Sequence, residues 1–147
     1  MEPVWEAIED VEYAAAYVTA TDDTVTVDLA QMTENELGVW YQDLVDGTGD
    51  TVVLGDRVYM RYNGWVRDGT LFDDGEFDYE WGNQTPEDGA LAGIQIGMLG
   101  QQEGGTRLLV VPPEWGYGSL SFENSPIYPG AILIFRVQLD SIVSPDP

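Results

Sequence analysis

Residues 55–74 read GDRVYMRYNGWVRDGTLFDD. Val58, Met60 and Tyr62 alternate with Arg57, Tyr59 and Arg61, the two-residue period of a strand that turns one face to a core and the other to water. Asp68-Gly69 suits a tight hairpin turn, and Leu71 and Phe72 then begin a return strand. Downstream, Thr85-Pro86-Glu87-Asp88 has the cap and first-turn residues of a helix start. Leu91, Ile94 and Met98 share the apolar face of the short helix that follows, which Gly97 weakens and Gly100 ends. Thr106 to Val111 is a β-rich run stopped by Pro112-Pro113, and Ala131 to Val143 is a final strand with Leu133, Phe135, Val137 and Leu139 on one face.

Upstream, Val39 to Val45 reads as a strand ending at a glycine-rich turn. TDDTVTVDLAQ, residues 21–31, alternates at Val25 and Val27 and is either a short strand or an irregular linker. In residues 2–19, Trp5, Ile8, Val11 and Ala15 recur at spacings of three and four, which predicts a short amphipathic helix. The expected fold class is therefore α+β: a curved antiparallel β-sheet wrapped around one short α-helix, with an N-terminal helical extension. The division falls near residue 36, giving an acidic, partly helical extension over 1–36 and a sheet domain over 37–147.

The 147 residues contain 27 Asp and Glu against 5 basic residues, for a formal charge of −22, with no His and no Cys. Without thiol or imidazole, Ser-His-Asp and Cys-His catalysis, zinc fingers and haem ligation all lack their residues. So negative a surface repels phosphates, which argues against nucleic acid as a partner. All five basic residues are Arg, at 57, 61, 67, 107 and 136, so the first 56 residues carry only negative side chains. Two readings of this bias stay open: adaptation to high salt, where screening suppresses self-repulsion, and drift in an acidic secreted protein. No apolar run reaches the roughly 18 residues of a membrane span. No leader stands at Met1, and an extracytoplasmic protein whose leader has been removed is favoured over a cytoplasmic one. Asp73, Asp74, Glu76 and Asp78 place oxygen ligands close together, but without the spacing of a calcium loop, so no metal is expected.

Three separated segments carry a family resemblance: GDRVYMRYNGWVRDGTLFDD, EGGTRLLVVPPEWGYG and IYPGAILIFRVQLDSI. In this order and spacing the chain, over about residues 37 to 143, resembles FKBP-type peptidyl-prolyl isomerases. The resemblance implies a half-wrapped sheet with an aromatic pocket that takes a proline ring. It also implies proline-containing polypeptides as partners, macrolides as inhibitors, no cofactor and a monomer. On this sequence it assigns catalytic roles to Tyr62, Phe72, Asp73, Tyr117 and Phe135, and substrate contacts to Phe77, Ala90, Leu91, Ile94 and Ile127. The implied activity is acceleration of X-Pro bond rotation by binding the twisted amide in a dry pocket.

Some positions depart from the family pattern. Ile94 stands where a tryptophan floor is common, and the segment between Asp73 and Phe77 is short and lacks the basic residue that often pairs with the aspartate. The loop from Asn83 to Gly89 is long, and Tyr128-Pro129 replaces a pair of prolines. Two rival readings follow from other classes: a proline-binding or chaperone-like module with little turnover, and a structural surface or assembly protein.

Overall fold

The computed structural model describes residues 7–18, 23–53, 57–80, 90–118 and 124–143, with backbone alone at 76–80, 90, 91 and 143. Among the described residues eight strands run in chain order: β1 (Ala16–Val18), β2 (Asp23–Val25), β3 (Thr33–Glu34), β4 (Trp40–Val45), β5 (Arg57–Val66), β6 (Leu71–Glu80), β7 (Thr106–Val111) and β8 (Leu133–Val143). Helix α1 (Ala90–Met98) lies between β6 and β7. β1 and β2 form a hairpin of their own, and the other six make one antiparallel sheet in the order β3-β4-β7-β8-β5-β6.

The alternation read in residues 55–74 holds. Val58, Met60 and Tyr62 are buried while Arg57, Tyr59 and Arg61 are exposed. The hairpin turns at Asp68-Gly69, with Gly69 at φ +88° and the Thr70 amide donating to the Asp68 carboxylate. α1 packs closely on β7 through two glycines one turn apart. A Cβ on Gly93 would lie 2.4 Å from Val111 Cγ1, and one on Gly97 2.6 Å from Leu109 Cδ2. Gly97 is thus also a close-packing residue inside the helix, and the backbone turns at Gly100, with φ +86°. The expected helix start at Thr85-Pro86 lies outside the described residues.

The N-terminal helix predicted over residues 2–19 does not form in the described part, 7–18. Ile8–Asp10 make a single 3₁₀ turn, and Ala16–Val18 pair as strand β1 with β2. The three-and-four spacing is overridden by packing of Ile8, Ala16 and Val18 on the sheet and by the Ala14 amide, which donates to Arg67 O of the β5–β6 hairpin at 2.8 Å; within the segment the Tyr13 hydroxyl donates to Ile8 O at 2.9 Å. Trp5, which began the spacing, lies outside the described residues.

The sheet therefore has two covered faces. Toward α1, Met60, Tyr62, Ile94, Leu109, Val111, Phe135 and Val137 form the larger core. On the other face, Ile8, Ala16, Val18, Val25 and Met32 pack on Trp65, Leu108, Val110, Ile132 and Ile134. A division at residue 36 passes between β3 and β4, which are paired in one sheet, and separates the two halves of this second core.

Arg107, on β7, is 4% exposed and joins three elements. Its guanidinium donates to Asp43 on β4 at 2.8 Å and to the carbonyls of Gly97 and Leu99 at the end of α1, and it lies 4.5 Å over the Tyr41 ring. It is a buried cation that satisfies two carbonyls at the C-terminal end of the helix. Arg107→Met is expected to cost about 3 kcal/mol in a urea unfolding experiment, because two carbonyls and a carboxylate lose their donors together. A loss below about 1 kcal/mol would contradict this role.

Candidate functional site

Tyr62 projects from β5 into the larger core, 7% exposed, opposite Gly75 on β6. Gly75 leaves room for its ring, since a Cβ there would sit 3.5 Å from Tyr62 Cε1. Two residues along β6, on the same face, Asp73 Oδ2 accepts the Tyr62 hydroxyl at 2.5 Å. This diagonal pair fixes Asp73, which is otherwise exposed, in the absence of the basic neighbour the family pattern would supply.

Phe72 is aimed by a break in register. Gly64 pairs with Asp73 and Trp65 with Leu71, so Phe72 is the extra residue of a bulge. Its ring reaches across Gly64 to meet Phe135 of β8 edge-on, with centroids 5.6 Å apart and planes at 79°. Phe135 in turn leans on Tyr62 at 6.4 Å and 56°. Gly64 permits this meeting, because a Cβ there would be 2.8 Å from Phe72 and 2.9 Å from Phe135. Ile94, 3% exposed, comes from α1 to the same cluster, with Ile127, 6% exposed, from the loop before β8. Partly buried Tyr117 and Trp115 close it from the turn after β7, where the Trp115 indole donates to Leu37 O at 3.0 Å.

Seven of the ten residues expected from the sequence are thus brought together: Tyr62, Phe72, Asp73, Ile94, Tyr117, Ile127 and Phe135. Phe77 pairs with Met60 in β6, and Ala90 and Leu91 begin α1, but their side chains lie outside the described residues. Gly64, Gly75 and Trp115 were missed. The two glycines carry a legible signal, since glycine inside a strand of large residues marks a close approach of side chains.

Burial, and then the hydrogen bond and charge of Asp73, push the Tyr62 hydroxyl well above the ordinary tyrosine value of about 10. Burial raises Tyr117 as well, followed by the charge of Asp73, which places that hydroxyl within the field of the same carboxylate. Both hydroxyls therefore remain neutral donors through the physiological range. A folded-state value above the unfolded one means that the stability these tyrosines contribute is intact below about pH 10 and is lost as pH rises through their folded values. In a spectroscopic alkaline titration of the eight tyrosines, Tyr62 and Tyr117 are expected to ionise late, and Tyr62→Phe to remove one late step. An unchanged late phase in the folded variant would show that Tyr62 is not shielded.

A sequence model described as FKBP-type peptidyl-prolyl cis-trans isomerase matches residues 49–140. The FK506-binding protein of Neisseria meningitidis serogroup B is 36% identical over 103 residues, covering 69% of this chain and 94% of that one. FK506-binding protein 4 of Chaetomium thermophilum is 35% identical over 102 residues, again 69% of this chain, which spans only 21% of that relative's length. Among solved structures, FkpA from Escherichia coli superposes with a TM-score of 0.64 at 26% identity, over 80% of this chain and 53% of that one. A multi-domain immunophilin from Arabidopsis thaliana gives 0.71 at 22% identity, over 84% and 49%, a likeness of fold.

Proposed function

The chain belongs to the FKBP-type peptidyl-prolyl cis-trans isomerase family, and from that premise we propose that its aromatic cluster accelerates cis-trans rotation of X-Pro bonds in polypeptides. The observation that carries the proposal is the edge-on meeting of Phe72 and Phe135 beside Tyr62, whose hydroxyl is held by the Asp73 carboxylate, in the same core as Ile94 and with Tyr117 packed against that core. Rotation about such a bond is slow because amide resonance raises a barrier of about 20 kcal/mol. No proton transfer or covalent step is needed, which suits a chain without His or Cys. Water stabilises the planar, charge-separated amide more than the twisted one, so a dry pocket lowers the relative cost of twisting. Binding the twisted state better than either planar state is then catalysis. In this reading Phe72, Phe77 and Phe135 form apolar walls and Ile94 the floor, and Ala90, Leu91 and Ile127 form the rim. Tyr117 donates to the substrate carbonyl, and Asp73 acts through Tyr62 as a positioning residue.

The proposal extends to a monomer that acts on proline-containing polypeptides and takes family macrolides in the same cluster. It treats residues 37–147 as the isomerase domain and 1–36 as an acidic N-terminal extension, and it places the protein outside the cytoplasm. Among the described residues no helix is long and apolar enough to cross a membrane. The direct test is the cis-to-trans rate of a Leu-Pro or Phe-Pro peptide at low and molar salt, with folding checked in both. No acceleration by the folded protein in either salt overturns the activity and leaves a proline-binding module.

That second reading is favoured by one residue, the aliphatic Ile94, which gives proline less area and no ring contact. Ile94→Trp is expected to raise isomerase activity or macrolide affinity several-fold, at a stability cost of about 1–3 kcal/mol for overpacking a position that is 3% exposed. A folded variant with unchanged rate and affinity would show that Ile94 is not the floor.

A further inference from the structure

β6 ends the order of the six-stranded sheet and pairs, among the described residues, with β5 alone. Phe72 stands near the start of this edge strand as the extra residue of a bulge, so the ladder itself gives it little hold. Its place is set by the turn just before it. That turn closes through the Gly69 amide on Val66 O at 3.0 Å and the Val66 amide on Thr70 O at 3.1 Å. The N-terminal segment grips it from outside. The Ala14 amide donates to Arg67 O at 2.8 Å, and Ala15 O lies only 2.9 Å from where a Cβ on Gly69 would stand. Trp65, next to Gly64 in β5, is buried in the outer core with Ile8, Ala16 and Val18, while Gly64 itself makes room for Phe72 and Phe135. One short stretch of hairpin therefore meets the extension on one face of the sheet and the aromatic cluster on the other.

From this we infer that Ala14 and Ala15 are positioning residues for the reaction: their grip on the turn at Arg67 and Gly69 sets the bulge that aims Phe72 at Phe135. The inference rests on the isomerase reading of that cluster. Ala14 and Ala15 act through Phe72, because a wall misplaced by about 1 Å already costs a rate up to about a hundredfold.

The test loosens the grip from both sides in the full chain. Ala14→Pro removes the amide that bonds Arg67 O. Gly69→Asn keeps a residue type that accepts the φ of +88° but sets a side chain against Ala15 O, and it remains decisive if Ala14→Pro fails to fold. Each folded variant is expected to lower kcat/KM for a Leu-Pro peptide roughly tenfold. Each should also shift or broaden the fluorine resonance of Phe72 in protein labelled with para-fluorophenylalanine, a resonance assigned by its loss in Phe72→Leu. Met32→Ala thins the same outer core just before β3, at the opposite edge of the sheet. It is expected to lower the melting temperature and leave both the rate and the Phe72 resonance unchanged. An unmoved Phe72 resonance in the folded grip variants, or an equal loss of rate in Met32→Ala, would overturn the proposal. A folded wild type without isomerase activity would overturn the function instead, and the fluorine resonance would still decide whether the grip reaches Phe72.

Discussion

A chain that begins at Leu37 is expected to lose cooperative folding, although the family match begins only at residue 49. Its removal strips Ile8, Ala16, Val18, Val25 and Met32 from the outer face of the sheet and bares Trp65, Leu108, Val110, Ile132 and Ile134. It also removes β3, which covers the edge of β4. Re-exposing a large apolar side chain costs about 1.5–3 kcal/mol, so five of them lose an amount comparable to the whole stability of a domain this size. The fragment should aggregate, or bind a hydrophobic dye without a melting transition. A soluble fragment that melts cooperatively within a few degrees of the full chain would show instead that the extension is a detachable appendage. The hairpin turn adds a local reason to expect dependence, since a Cβ on Gly69 would lie 2.9 Å from Ala15 O and the Ala14 amide is bonded to Arg67.

Phe72→Ala should lower kcat/KM for a Leu-Pro peptide by roughly 20- to 100-fold, equivalent to about 2–3 kcal/mol of lost transition-state stabilisation. The ring is half-buried and meets Phe135 edge-on, so truncation admits water to the place where a dry wall is needed. Because Phe72 is the extra residue of a bulge, its backbone bears little of the ladder, and the fold should survive with a modest fall in melting temperature. Gly64→Ala acts on the same contact without deleting it, by driving a methyl group to 2.8 Å from Phe72 and 2.9 Å from Phe135, and should depress the rate in the same direction. A folded Phe72→Ala protein with undiminished kcat/KM would place catalysis elsewhere and defeat the assignment of this cluster.

Period-two alternation was enough to orient β5, because each inward residue from Val58 to Tyr62 has an outward neighbour and a one-residue slip would invert the set. The same holds for β8, where Leu133, Phe135, Val137 and Leu139 all reached the core. The site was legible to the extent that aromatic residues stood in quoted motifs. Gly64 and Gly75 were legible only as strand glycines that mark some close approach; which rings they admit depends on atoms brought near by another strand. Asp73 shows the same limit: its fixing by Tyr62 depends on two residues in different strands lying diagonally on one face.

The N-terminal segment marks where local pattern failed. Ala14-Ala15-Ala16 and the spacing of Ile8 and Val11 suit a helix in isolation, but in the extended chain Ile8, Ala16 and Val18 are buried on the outer face of the sheet, with Val11 packed against them. Arg107 lay in a run that read only as a strand, and nothing in that run tells that its guanidinium would satisfy two carbonyls of α1 and a carboxylate of β4. By itself the sequence determined the strands from β4 to β8, the short helix, the hairpin turn and the family, since these rest on side-chain period, turn chemistry and ordered motifs along the chain. Only the tertiary structure decided which face of the sheet the extension covers and how Phe72, Asp73 and Arg107 are held. Burial and hydrogen-bond partnership belong to residues far apart in sequence, and they exist only once the strands have paired.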